Sequence, residues 1–160
     1  MLTFTVYSQP MPVKKIAKIK LPRNCKRLTL ANKAILEISK SEKSILHISR
    51  KKTGEYYEVG NFVLRLLAAE GKKDLNHLED LIAFNEEYNP KKPMENIQSF
   101  PTFKVLVIFT EYDTIGKYSF FAVDNTSGTK YLNGQIEFLK DEKQEARKVL
   151  DNFIQGIRFK

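Results

Sequence analysis

The N-terminal half of the chain alternates apolar and polar positions with a period of two, which is typical of half-buried strands. Residues 2–8 (LTFTVYS) alternate in this way and predict a first strand, which QPMP (9–12) ends. Residues 15–22 (KIAKIKLP) predict a second, short strand. The runs 34–39 (AILEIS) and 44–49 (SILHIS) flank the polar turn KSEK and predict two adjacent antiparallel strands. This half therefore predicts a sheet built from hairpins.

The middle of the chain changes period. Residues 60–73 (GNFVLRLLAAEGKK) fit a strand and a helix equally well, and the pattern leaves both open. Residues 74–90 place apolar side chains near the helical period, with Asp74 at the start as a cap and Pro90 after the end. Residues 89–101 contain three prolines and predict a long loop.

The last third predicts more strands. Residues 102–112 (TFKVLVIFTEY) are apolar on both sides around 105–109, which predicts a strand central in the sheet and covered on both faces. Residues 116–125 and 129–139 follow after short turns. Together the three segments predict an antiparallel meander.

A final helix follows the meander. Asp141 stands at the N-cap position with Gln144 three residues later, and Gly156 is the expected left-handed C-cap. The tail after the glycine is predicted to turn Ile157 and Phe159 into the core, with Arg158 and Lys160 facing water. One apolar stripe runs along this helix: Ala146, Val149, Leu150, Phe153, Ile154 and Ile157.

These elements predict an α+β fold in a single domain spanning residues 1–160. The sheet is antiparallel, with about six to seven strands arranged as hairpins and a C-terminal meander. Helices flank it, as in an α/β/α sandwich. The 160 residues are enough to bury a core without disulfides.

The charge is concentrated in the first third of the chain. Residues 1–52 hold 13 of the 27 Lys and Arg residues and only two of the 19 acidic residues. Such asymmetry raises the prospect of an acidic protein, nucleic acid or an anionic surface as partner, although solvated strand faces are the commoner explanation of such a charge block. The predicted partner-binding residues are Lys14, Lys15, Lys18, Lys20, Arg23, Lys26 and Arg27.

The sequence offers no recognisable catalytic chemistry. A lone cysteine, Cys25, has no motif around it, and His47 is expected on the wetter side of a strand. His77 and Asp80 have one-turn spacing but no second ligand pair, so no metal or cofactor is predicted. No apolar run reaches the length of a membrane span. The chain is expected to be cytoplasmic by default, or periplasmic or secreted if a leader has been removed.

The order of elements resembles that of the Mog/PsbP-like superfamily. The matching segments are YLNGQIEF (131–138), the helix 141–155 and GIRF (156–159), together with IKLP (19–22) and the two predicted hairpin strands. The resemblance implies an antiparallel sheet between helices. It also implies an adaptor role, since Mog engages the small GTPase Ran and PsbP proteins associate with photosystem II. No catalytic residues belong to that fold. The basic charge of this chain departs from the acidic Ran-facing surface of Mog.

Three functions stay open on these grounds. The first is a non-catalytic protein-binding module, such as an adaptor, an assembly factor or an immunity-type protein, that binds an acidic partner through the basic third. The second is a nucleic-acid or anionic-surface binder that uses residues 14–27 and 50–52. The third, a small enzyme without a recognisable motif, is the least favoured, because no P-loop, nucleophile elbow or metal quartet is present.

Overall fold

The computed structural model describes residues 9–29, 54–88, 95–111 and 115–160. The predicted strand 2–8 and the predicted hairpin 34–49, including His47, lie outside the described residues. The strands are β1 (Gln9–Met11), β2 (Ala17–Lys18), β3 (Cys25–Arg27), β4 (Glu55–Val59), β5 (Phe62–Glu70), β6 (Gln98–Ser99), β7 (Phe103–Glu111), β8 (Ile115–Asp124), β9 (Lys130–Leu139) and β10 (Arg158–Phe159). The helices are α1 (Val13–Ile16), α2 (His77–Tyr88) and α3 (Lys143–Gln155), with a 3₁₀ turn at Lys140–Glu142.

Eight of these strands form one antiparallel sheet. Its order is β3-β4-β5-β9-β8-β7-β6, and β1 pairs with the far end of β5. The strands β2 and β10 form a separate antiparallel pair. The fold is therefore α+β, and β7, β8 and β9 form the predicted meander.

The helices lie on both faces of the sheet. The larger core lies between the sheet and α1 and α3, where Phe120, Phe153 and Ile157 are almost fully buried. On the other face, Leu78 of α2 packs with Leu106 and Tyr131. The alternation along each strand divides its side chains between these two cores.

Two segments differ from their predicted conformations. The predicted strand 15–22 is reduced to β2 (Ala17–Lys18), because residues 13–16 form the helix α1, in which Val13 and Ile16 are buried on one face. The sequence predicts that QPMP ends the first strand, but residues 9–11 themselves form the strand β1, which pairs with β5. The segment 60–73, which the sequence left open between strand and helix, contains the strand β5, and β5 pairs with β9 along its length.

The apolar strand β7 is not central in the sheet. It lies next to the two-residue edge strand β6, and β9 occupies the middle. Val105, Leu106 and Val107 are nevertheless fully buried, because helices cover β7 on both faces. An uninterrupted apolar run thus indicates that both faces of a strand are covered. In this sheet the covering helices extend almost to the edge.

The termini of α3 also differ from prediction. Asp141 lies in the 3₁₀ turn, and the Glu142 carboxylate accepts the Leu139 N–H at 3.3 Å instead. Gly156 has φ −84°, so it is not a left-handed cap. The glycine is required for space, since a Cβ there would lie 2.8 Å from the Cβ of Lys20.

We expect Gly156→Ala to destabilise the protein by about 1–3 kcal/mol, because the new methyl group overlaps Lys20. Adding Lys20→Gly removes the overlapping Cβ of Lys20. The double variant should therefore be little less stable than Lys20→Gly alone. Thermal unfolding of the four proteins in a double-mutant cycle measures the coupling. If the stability effects of the two substitutions simply add, the contact with Lys20 is not what requires glycine at position 156.

The turn between β8 and β9 depends on one buried carboxylate. Asp124 accepts hydrogen bonds from the Thr126 N–H at 2.9 Å and the Ser127 N–H at 3.0 Å, and from the Ser127 hydroxyl at 2.5 Å. Burial alone would raise the pKa of Asp124, but these hydrogen bonds outweigh it and lower the pKa below its usual value. The ionised form is therefore the one that the fold stabilises.

Asp124→Asn should lower the free energy of unfolding by about 1–3 kcal/mol at pH 7. Because the folded-state pKa is depressed, the Asp124 contribution is present above the unfolded-state pKa of about 3.9 and is lost as the pH falls through the lower folded-state value. Chemical unfolding of both proteins at pH 7 and pH 3 tests this. The difference should shrink at pH 3, whereas the exposed Asp141→Asn control should change little at either pH. A difference that is equal at both pH values would contradict the assignment.

Candidate functional site

The seven predicted basic residues are all exposed, but the structure separates them. Lys14, Lys18 and Arg27 line one cleft, whereas Lys20 lines a neighbouring one on the other side of Leu21. The remaining three line neither of these clefts: Lys15, Arg23 and Lys26. The predicted set is thus not one continuous site.

The first cleft lies between α1, β2 and the strand pair β3–β4. Its volume is about 670 Å³, and we call it the basic cleft. The turn closed by the Cys25 N–H donating to the Pro22 carbonyl at 3.1 Å leads the chain into β3, which faces α1 across the cleft. Its lining residues are Pro12, Val13, Lys14, Ala17, Lys18, Ile19, Leu21, Arg27, Glu55, Tyr57 and Lys160.

The C-terminal tail adds a cation that the charge analysis missed. The backbone N–H of Lys160 donates to the Ile16 carbonyl at 3.1 Å, and its ammonium donates to the Lys14 carbonyl. The predicted alternation of the tail is present, since Ile157 is buried and Phe159 packs half-buried against the core, while Arg158 and Lys160 are exposed. Pairing of β10 with β2 brings this distant end of the chain to the cleft, and no local pattern reports that pairing.

Among the described residues that line the basic cleft, the carboxylate of Glu55 lies beside four cationic side chains. Glu55 accepts the Tyr57 hydroxyl at 2.6 Å and the Val13 backbone N–H at 3.0 Å. Arg27 approaches it at 3.6 Å. The two hydrogen bonds of Glu55 therefore tie the start of α1 to β4 and hold the cleft in shape.

Tyr57 is held in its neutral form at this position. Burial raises the pKa of the Tyr57 phenol, and the hydrogen bond to the Glu55 carboxylate raises it further. A neutral phenol donates one hydrogen bond and carries no charge, so Tyr57 positions Glu55 and does not act as a base.

The structure also describes Cys25, His77 and Asp80, which the sequence analysis considered as possible reactive or metal-binding residues. Cys25 is half-buried in β3, and burial raises the pKa of its thiol, which disfavours the nucleophilic thiolate. The His77 ring meets Tyr131 edge-on at 5.1 Å and lies 3.6 Å from Asp74, while Asp80 is exposed on α2. Within the four described ranges, no three His, Cys, Asp or Glu side chains are placed to hold a metal ion.

Comparison with family models and with curated proteins finds no relative. The chain matches no model of a protein family, and no curated protein is significantly similar to it. None of the helices that the structure describes has the length and apolar character needed to cross a bilayer. The candidate site therefore rests on the geometry of the basic cleft.

Glu55→Ala should destabilise the protein by about 1–3 kcal/mol, since it leaves the Val13 N–H and the Tyr57 hydroxyl without their acceptor. Glu55→Gln keeps one carbonyl acceptor and should cost less. Denaturant unfolding of both variants measures the two values. Equal losses would mean that the charge of Glu55, and not its hydrogen bonds, stabilises the fold.

Proposed function

We propose that this protein is a non-catalytic binding module, such as an adaptor, assembly factor or immunity-type protein, that binds an acidic partner protein at the basic cleft. The observation that carries the proposal is the charge balance of this cleft. Among the described lining residues, Lys14, Lys18, Arg27 and Lys160 surround one side-chain carboxylate, that of Glu55, which already accepts two internal hydrogen bonds. Cations grouped around a concave surface attract a ligand of opposite charge and accelerate its association.

Nucleic acid is the alternative partner. Single-strand binding uses exposed aromatic rings as stacking platforms. Of the described residues that line the basic cleft, only Tyr57 is aromatic, and it is buried. This favours a protein partner over a nucleic acid. The resemblance to the Mog/PsbP-like superfamily supports the same choice, since its named members bind proteins, and membership remains a prediction.

The proposal is tested by affinity purification from the source cells at low and moderate salt, with mass spectrometry and nucleic-acid staining of the eluate. An acidic protein should be recovered at both salt concentrations. Nucleic acid that is lost at the higher salt would favour the alternative, because phosphate binding releases counterions. Recovery of neither would contradict stable binding.

A charge-reversal series locates the binding surface. Lys14, Lys18 and Lys160 changed together to Glu should weaken binding of the recovered protein at least about tenfold, mainly by slowing association. Lys15, Arg23 and Lys26 changed to Glu are the matched control, with the same change in net charge outside both clefts. Surface plasmon resonance measures both, after thermal unfolding shows that the variants fold. Equal losses would contradict the cleft as the binding site.

A further inference from the structure

The size of the basic cleft limits what it can hold. A volume of about 670 Å³ falls within the range of about 300–1,000 Å³ that is typical of ligand pockets. A pocket of this size accepts a few residues of an extended chain. By contrast, a folded protein usually binds through a flatter surface, of which about 800 Å² is buried on each partner.

The cleft offers apolar contacts as well as charge. Ile19 and Leu21 are half-buried, pack against the edge of the main core and line the cleft. Lys14, Lys18 and Arg27 line the same cleft and are exposed. A ligand that uses the whole cleft must therefore carry an apolar side chain beside its negative charge.

Arg27 is the cation best placed to take a second carboxylate. Its side chain is 68% exposed, and the 3.6 Å separation from Glu55 is longer than a hydrogen bond. Glu55 keeps its shorter bonds to Tyr57 and Val13 whether or not Arg27 stays beside it. The planar guanidinium fits a carboxylate through two parallel hydrogen bonds, which the ammonium groups of the neighbouring lysines cannot form.

We infer that the basic cleft binds a short extended segment of the partner in which an acidic residue stands next to an apolar one. The carboxylate binds Arg27, and the apolar side chain packs on Ile19 and Leu21. This inference rests on the proposed function and names the chemistry of the partner at the same cleft. It makes Arg27 the residue that determines specificity, while the lysines supply attraction at longer range.

The test is selection of a random heptapeptide library, displayed on phage, against the full chain. The selected peptides should contain Asp or Glu next to Leu, Ile, Val, Phe or Met. A synthetic, fluorescein-labelled copy of a selected peptide should bind the Arg27→Lys variant at least about tenfold more weakly than the unchanged chain. Lysine keeps the charge but not the paired hydrogen bonds. Arg23→Lys is the control and should stay within about twofold. Replacing the apolar residue of the peptide by serine should also weaken binding at least about tenfold.

Several results would overturn this inference. Two results would show general electrostatic attraction: acidic peptides that bind equally well after the serine replacement, or an equal loss of affinity in Arg27→Lys and Arg23→Lys. Either result would leave the proposed function standing. Selection of basic or neutral peptides, or of none, would reject a peptide-binding cleft. A labelled single-stranded oligonucleotide that binds more tightly than the peptide, and loses affinity to Arg27→Lys, would assign the cleft to nucleic acid. The proposed function fails separately, through the charge-reversal series on the recovered partner.

Discussion

The packing of Phe120 over Gly134 is the constraint on which the rest of the structure depends. These two residues are paired on neighbouring central strands, and a Cβ at position 134 would lie 2.5 Å from the Phe120 ring and 2.6 Å from the Arg65 carbonyl oxygen. The ring occupies the space that a side chain would need, and Phe153 of α3 packs on it at 5.6 Å. The position of α3 on the sheet is thereby determined by a cross-strand pair beneath it.

The basic cleft follows from the position of α3. The helix ends at Gly156 against the Cβ of Lys20, and the buried Ile157 directs the chain into β10. The pairing of β10 with β2 then brings Lys160 beside Lys14. A cluster of cations is unfavourable by itself, because like charges repel. It is maintained here by apolar packing remote from the charges and by the hydrogen bonds of Glu55.

Glu55 therefore has two effects on the cleft. Its hydrogen bonds hold α1 close to β4, and its charge offsets part of the repulsion among the four cations. Because its bonds to Tyr57 and Val13 are internal, they persist when a ligand approaches Arg27. This separates the structural carboxylate from the cation that is available for binding. In the proposed function, a negative group therefore reaches Arg27 while the hydrogen bonds that shape the cleft stay in place.

The sequence by itself determined the α+β class, the meander β7–β9, the helices α2 and α3, and the excess of positive charge near the N-terminus. Each of these depends on local periodicity or composition. Tertiary structure decided that residues 13–16 are helical and that β7 lies beside an edge, because both depend on which neighbours cover them. It also decided which cations share a cleft. Lys160 and Glu55 join Lys14 only through strand pairing and packing between segments far apart in the chain, which no local pattern encodes.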